Sequence, residues 1–359
     1  MKVLQLGKFY PILGGVEKVM WELTEGLGRA GVDCDMLCAC EKPQVIQMGE
    51  HSRCICVKSL FKASATMISP AMISYLHKHC PEYDIIHVHH PDPMAALALR
   101  LSGYKGKVVL HWHSDIIKQR FLLKFYLPLQ SWIVRHSDII VGTSPVYVSE
   151  SPFLQGVQDK LTYMPIGVDP LPDTCAEPSK YKIVFSLGRL VGYKGYKYLI
   201  DAAKYLPDGY RVVIGGEGPL REELEAQIRV EGLQDKVSLP GRIPQDKLPE
   251  MFAQCSVFCL SSIWKTEAFG IVQIEAMSCG KPVVATRIPG SGVSWVNGHG
   301  YSGLNVEPCS GPQLAKAILE ITEDPVVYKQ YCNNARERYK ALFTKEAMIE
   351  KCLEIYNKL

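Results

Sequence analysis

The sequence predicts an α/β protein built on two parallel β-sheets, and three observations carry that prediction. Short apolar runs alternate with helix-length amphipathic segments through both halves of the chain, as crossover connections in parallel sheets require. A proline-rich stretch, Asp169–Ser179 (DPLPDTCAEPS), interrupts the alternation near the middle and reads as a linker. The length, 359 residues, suits two domains of ordinary size.

In the first half, Val3–Leu6, Asp33–Cys38, Ile85–His89, Lys107–His111 and Ile139–Val141 are the expected strands. Val16–Arg29 and Ala95–Leu101 have helical spacing. After the linker the expected strands are Ile183–Leu187, Arg211–Ile214, Val237–Leu239, Val257–Leu260 and Pro282–Ala285. Helices are expected between them at Tyr198–Tyr205, Leu220–Glu231, Leu248–Ala253 and Val272–Cys279. The expected domains are therefore 1–169 and 170–344, and the stretch Pro325–Leu359 is helical in pattern. In its last part, Lys345–Leu359, the residues Met348, Cys352, Ile355 and Tyr356 share one face.

Ile117–His136 is rich in Phe, Leu, Tyr and Trp, with Lys118, Arg120, Lys124 and Arg135 interspersed. It suits either a segment lying on anionic lipid or a helix pair packing a domain core. Pro128 is expected to break or kink it.

Composition narrows the function classes. A net charge of +3 is too weak to argue for nucleic acid. The 13 cysteines, an odd number, sit mostly in apolar runs, as at Cys34, Cys38, Cys54, Cys56, Cys255 and Cys259. They read as small buried hydrophobes in a reducing compartment rather than a disulfide framework. The start runs directly into a strand-like segment with no signal peptide, and no apolar run reaches the ~20 residues of a membrane span. A cytoplasmic location is expected, with contact at a membrane surface still open.

Four segments carry candidate chemistry. The first is Thr266–Met277 (TEAFGIVQIEAM), with Glu267 in the loop before an expected helix and Glu275 about two turns into it. The amides of Ala268, Phe269 and Gly270 would be free donors at the helix N-terminus, where an anion is favoured. A carboxylate there can accept from two adjacent hydroxyls; equally, the two glutamates suit an N-cap region and a solvated face. The second is Leu187–Gly195 (LGRLVGYKG), where Arg189 and Lys194 could neutralise a diphosphate without a metal, or simply flank a surface turn. The third is Lys8–Glu17 with Gly14-Gly15, after the first strand, where parallel sheets bind ligands. A tight turn explains it as well, and it lacks the dinucleotide spacing G-x-G-x-x-G. The fourth is histidine: His87-Val88-His89-His90 and His111-Trp112-His113-Ser114-Asp115 end two expected strands. His-x-His pairs could ligate zinc, but His113 also suits a hydrogen bond to a sugar hydroxyl or a satisfied structural role.

Together, the Gly-Gly loop, GRLVGYKG, VVIGGEGPL and TEAFGIVQIEAM resemble the retaining family 4 glycosyltransferases of the GT-B fold. Order and spacing match over nearly the whole chain, and Glu267 and Glu275 form that family's E-x7-E motif. The resemblance implies two Rossmann-like domains facing across a cleft, with the last helix crossing back onto the N-terminal one. It implies a nucleotide diphosphate sugar as donor substrate, UDP- or GDP-linked, and neither cofactor nor metal. Glu275 would hold the ribose hydroxyls, Arg189 and Lys194 the diphosphate. Glu267 and the amides of Phe269, Gly270 and Ile271 would hold the donor sugar. Gly15 would approach the phosphate, His113 would face the transferred sugar, and Ile243 would meet the base through its backbone. Transfer would be front-face and retaining, with the leaving phosphate as base. The N-terminal domain would hold the acceptor, so the Ile117–His136 stretch would bring it beside anionic membrane.

One departure stands out. Many relatives carry Gly-Gly-x-x-Glu where this chain has Gly290-Ser291-Gly292-Val293-Ser294-Trp295. A related variant occurs in bacterial surface-polysaccharide transferases, so a glycan or lipid-linked oligosaccharide is the expected acceptor, in polysaccharide or lipopolysaccharide synthesis. Rival readings are a GT-B epimerase or phosphorylase, a metal-dependent hydrolase using the His-x-His pairs, and a silent sugar-nucleotide binder.

Overall fold

The computed structural model describes all residues except 13, 64–65, 117–119 and 173–178. The chain divides into two compact units, Met1–Gly167 with Lys345–Leu359, and Val168–Thr344. The division falls two residues before the 169/170 boundary because Val168 is tied into the second unit. Its N–H donates to the Phe343 carbonyl at 3.0 Å and its carbonyl accepts from Tyr339 Oη at 2.8 Å. Of the proline-rich stretch, residues 173–178 lie outside the described residues.

The first unit holds β1 (Lys2–Phe9), α1 (Gly15–Arg29), β2 (Asp33–Cys40), β3 (Gln44–Gln47), β4 (Ser52–Lys58), a small hairpin of β5 (Phe61–Ala63) and β6 (Thr66–Ile68), α2 (Pro70–His79), β7 (Ile85–His90), α3 (Pro93–Ser102), β8 (Lys107–Trp112), α4 (Arg120–His136), β9 (Ile139–Gly142), α5 (Pro145–Ser149) and β10 (Leu161–Tyr163). Its main sheet has the order β10-β9-β8-β7-β1-β2-β4-β3, parallel except for the β3 edge. Strands β1, β7 and β8 lie in the middle and are buried almost throughout, as expected of strands covered on both faces. β4 (SRCICVK) was not apparent from sequence, since only its centre is apolar. Pairing with β2 at seven positions, from Cys34↔Ser52 to Cys40↔Lys58, makes it a strand.

At Pro128 the segment does not break: one helix runs from Arg120 to His136 with the proline inside. Pro128 lies on the exposed side, where the carbonyl four residues back can be hydrated, so the lost hydrogen bond leaves no buried orphan. Tyr126, Gln130, Ile133 and Val134 are buried, while Lys124 and Phe125 are exposed. No described helix is long and apolar enough to cross a membrane.

The second unit holds β11 (Lys182–Leu187), α6 (Tyr196–Ala203), β12 (Tyr210–Gly215), α7 (Arg221–Val230), β13 (Val237–Gly241), α8 (Leu248–Gln254), β14 (Cys255–Leu260), α9 (Ile271–Ser278), β15 (Val283–Thr286), α10 (Val293–Asn297), β16 (Gly303–Val306), α11 (Gly311–Thr322) and α12 (Pro325–Leu342). Its sheet is fully parallel, in the order β13-β12-β11-β14-β15-β16. One face buries Leu199, Ile200, Val212, Ile214, Val257, Val284, Leu314 and Ile318 in a continuous apolar core.

The last helix, α13 (Lys345–Tyr356), packs on the first unit. Met348, Cys352, Ile355 and Tyr356 are all buried, and Lys345 pairs with Glu22 of α1.

Candidate active site

In the second unit the predicted donor residues gather at the carboxyl edge of the sheet. β11 ends at Leu187, β12 at Gly215, β13 at Gly241 and β14 at Leu260, and the loops leaving these ends carry Arg189 and Lys194, Ile243, and Glu267. Carboxyl edges of parallel sheets collect ligand-binding loops because the chain reverses there into helix N-termini.

Lys194 and Glu267 touch directly. Lys194 Nζ donates to Glu267 Oε2 at 2.5 Å, and Ser262 Oγ donates to the same oxygen at 2.9 Å. The two side chains are only 9 % and 12 % exposed, so each charge depends on the other for solvation. Three further contacts hold the pair. Ser261 Oγ donates to the Lys194 carbonyl at 2.9 Å, Ser291 Oγ donates to the Glu267 carbonyl at 2.5 Å, and the Gly292 N–H donates to the Ala268 carbonyl at 2.9 Å. The stretch without the usual glutamate therefore clasps the loop that bears Glu267. Gly195 makes the approach possible: it has φ +65°, and a Cβ there would lie 2.2 Å from the Ser261 carbonyl oxygen.

α9 starts at Ile271 with Gly270 as N-cap at φ +75°. This corrects one expectation: Glu275 is one turn into the helix, not two. The amides of Phe269, Gly270 and Ile271 take no acceptor among the described residues, leaving donors aimed at any anion at this terminus. Glu275 is half-buried on α9. Ile243 packs over Gly215, whose added Cβ would meet Ile243 Cδ1 at 2.4 Å. Arg189 is exposed, with no ion-pair partner among the described residues.

In the first unit, Gly15 opens α1 and is exposed, behind the N-cap Gly14. His113 lies just past β8 and is buried. It ends a hydrogen-bonded chain: His87 Nδ1 to Tyr356 Oη at 2.6 Å, Tyr356 Oη to Gln5 Nε2 at 3.0 Å, Gln5 Oε1 to His89 Nε2 at 2.7 Å, and His89 Nδ1 to His113 Nε2 at 2.9 Å. The Gln5 amide sets the tautomers. Its oxygen accepts from His89 Nε2–H, so His89 Nδ1 accepts from His113 Nε2–H, and His113 Nδ1 keeps a lone pair. Burial holds His87, His89, His90 and His113 well below the usual histidine range and pushes His111 down to about 3. These rings are neutral at physiological pH.

Ring nitrogens of His87, His89 and His111 lie within 4.8 Å of one another. Both nitrogens of His89 are engaged in hydrogen bonds, whereas His87 Nε2 and both nitrogens of His111 are buried without a hydrogen-bond partner among the described residues.

Comparison with known proteins decides the family. Residues 13–170 match the family described as Glycosyltransferase Family 4, and residues 171–338 match Glycosyl transferases group 1. The O-antigen chain mannosyltransferase C of Escherichia coli is 30% identical over 372 aligned residues, covering 100% of this chain and 99% of its own length. The chain belongs to the family 4 glycosyltransferases. A second relative of the transferase, the D-rhamnosyltransferase WbpZ of Pseudomonas aeruginosa, is 33% identical, with 96% of this chain and 92% of that protein covered. Among solved structures, a sucrose-phosphate synthase from Thermosynechococcus elongatus superimposes with a TM-score of 0.78 at 23% identity, over 100% of this chain and 99% of that one. Anabaena HepE in complex with UDP gives 0.78 at 22% identity, with full coverage of both. The fold is GT-B. The epimerase, phosphorylase and hydrolase readings are not favoured by these matches.

Sequence reasoning missed several residues of the transferase that the structure brings to these two edges. Ser261 and Ser262 follow the end of β14, and two small hydroxyls at a strand's carboxyl end were the available signal. Asp92 is another. It caps α3 through Met94 N at 2.9 Å and Ala95 N at 3.1 Å, and accepts from the Lys8 N–H at 2.5 Å. Lys8 has φ +62°, a left-handed conformation unusual for a side-chain-bearing residue. Asp92-Pro93 before an apolar run was a readable N-cap signal.

Proposed function

We propose that the enzyme transfers a hexose-type sugar, with retention of configuration and without a catalytic metal, from a nucleotide diphosphate donor to a glycan or lipid-linked saccharide in surface-polysaccharide synthesis. The observation that carries this reading is the buried Lys194–Glu267 contact at 2.5 Å beside the open amides of α9. An ammonium has three N–H bonds. One goes to Glu267, which leaves two for phosphate oxygens. Glu267 would accept from sugar hydroxyls through its other oxygen, Glu275 would grip the ribose diol, and Arg189 would clamp the diphosphate. Phe269, Gly270 and Ile271 would offer backbone donors, and Ile243 would border the base. Gly15 and His113 are assigned by family resemblance to the phosphate and to the transferred sugar. His113, as a neutral ring, would accept a hydrogen bond from a sugar hydroxyl at Nδ1 rather than act as an acid.

The chemistry needs negative charge stabilised as the diphosphate leaves and positive charge tolerated at the anomeric carbon. Fixed cations and amide dipoles supply the first without reorganising. The departing phosphate oxygen would take the acceptor's proton on the same face, which is what retention requires. The two relatives that span the chain are named for mannose and D-rhamnose transfer. Those sugars share an axial 2-hydroxyl, which supports a manno-configured donor.

The test is a donor panel of UDP-, GDP-, ADP- and TDP-sugars without added divalent cation. The product's anomeric configuration is then read by NMR. An inverted product, or turnover only with Mg²⁺ or Mn²⁺, would overturn the mechanism while leaving the family intact.

A further inference from the structure

The chain carries two Cys-x-Cys pairs that the transfer chemistry does not use, Cys38-Ala39-Cys40 on β2 and Cys54-Ile55-Cys56 on β4. The strands are parallel neighbours with Cys38 opposite Cys56 and Met36 opposite Cys54. Alternation along a strand puts residues two apart on one face, so this register stacks the thiols on the same side. The Sγ atoms of Cys38, Cys54 and Cys56 stand 3.6, 3.7 and 3.6 Å apart, an almost equilateral triangle.

We propose that Cys38, Cys54 and Cys56 form a thiolate site for a thiophilic closed-shell cation, Zn²⁺ or Cu⁺. The spacing fits such an ion. A tetrahedral centre lies ~2.2–2.3 Å from corners set this far apart, which is the Zn–S bond length, and a trigonal centre lies ~2.1 Å away. The surroundings fit as well. All three cysteines are buried, and the cluster around them contains Met20 and Met36, with Met48 packed against it. Thioethers and thiolates select soft ions over the hard cations that phosphate chemistry uses. Cys40 is directed elsewhere, its thiol lying 3.0 Å from the Lys42 carbonyl and 3.4 Å from that of Val57. The ion replaces the thiol protons, which pass to the buffer.

The site would be structural. Ala39, between Cys38 and Cys40, accepts from the Tyr10 N–H at 2.8 Å, and Tyr10 packs on the sulfur cluster. An ion here would brace the loop between β1 and α1.

The test uses the full chain without a histidine tag, reduced and handled anaerobically. Zn²⁺ alone and Cu⁺ alone are titrated in separate arms against a chromophoric chelator, and X-ray absorption reports the bound ion's neighbours. One equivalent per chain is expected, with a sulfur-only shell at ~2.2–2.3 Å. Cys38→Ala and Cys54→Ala should each weaken uptake by ~100-fold, by analogy with lost ligand-sphere contacts. Cys80→Ala, a buried cysteine outside the cluster, should not change it. The arm that saturates identifies the ion. Should an alanine variant fail to fold, the wild-type absorption shell decides. Failure of both ions to bind, a shell containing nitrogen, or unchanged uptake in folded Cys38→Ala and Cys54→Ala would each overturn the proposal.

Discussion

Replacing Lys194 by alanine removes the cation that lies 2.5 Å from Glu267 and leaves that carboxylate, 12 % exposed, with the Ser262 hydroxyl as its side-chain partner among the described residues. Two costs follow, and they are separable. For stability, a charge-assisted hydrogen bond contributes ~1.5–3 kcal/mol, and the low exposure of both groups places the loss toward the upper half of that range. A unit of this size shows such a loss as a fall of several degrees in melting temperature. For catalysis, losing one preorganised donor at a developing charge costs ~2.7–4 kcal/mol, or a factor of about 100–1,000 in kcat. The donor KM should move far less, because the lost contact strengthens as the diphosphate departs. Lys194→Arg should not restore the rate, because a planar guanidinium presents its donors in a fixed fork rather than around the single point now 2.5 Å from Glu267. The assay is initial-rate kinetics with the natural donor, alongside thermal melting. A folded Lys194→Ala enzyme with kcat within threefold of wild type would refute the assignment of Lys194 to the leaving group.

Glu275→Ala should lower donor kcat/KM by about 100-fold while the fold survives, read by the same kinetics and by circular dichroism. Gly195→Ala should destabilise the second unit by ~1–3 kcal/mol from the left-handed backbone alone, and by more because its Cβ would meet the Ser261 carbonyl; denaturant titration measures it. The buried histidines have folded pKa values below the unfolded ~6.5, so the unfolded state binds more protons in acid. Their stabilisation is present above pH ~6.5 and is lost as pH falls below it, by up to ~1.4 kcal/mol per pH unit for each ring. Unfolding midpoints in urea at pH 7, 6 and 5 should fall in that order. The exposed side of α4 carries Lys124 and Phe125, the latter 73% exposed. If it rests on anionic lipid, co-sedimentation with anionic liposomes at low salt should exceed that at high salt or with neutral lipid, and equal recovery in all supernatants would end the membrane idea.

The alternation of apolar and helical segments made the α/β class and both sheets legible in the sequence, because strand and helix periods are local properties. The loops with Arg189, Lys194, Glu267 and Glu275 were legible for a related reason. Glycines, charges and a fixed eight-residue spacing mark a strand-to-helix turn without knowledge of what lies opposite. Two strands were less visible: β4 is apolar only at its centre and β16 is a short edge strand, and each is a strand because a neighbour presents a ladder to it. The run of α4 through Pro128 was decided by which side of the helix faces water.

By itself the sequence determined the family, the order of elements and the identity of the charges at the carboxyl edge of the second sheet. Tertiary structure alone decided what those groups touch. Gln5 meets Tyr356 across 351 positions, and through it the tautomer of His113 is set. Ser291 reaches back 24 positions to hold the Glu267 loop. Strand register, not composition, converts four scattered-looking cysteines into three sulfurs at contact distance and one turned to backbone carbonyls. Local sequence fixes the conformation a segment prefers; which side chains become neighbours depends on closing long loops and on packing, and those terms belong to the whole chain.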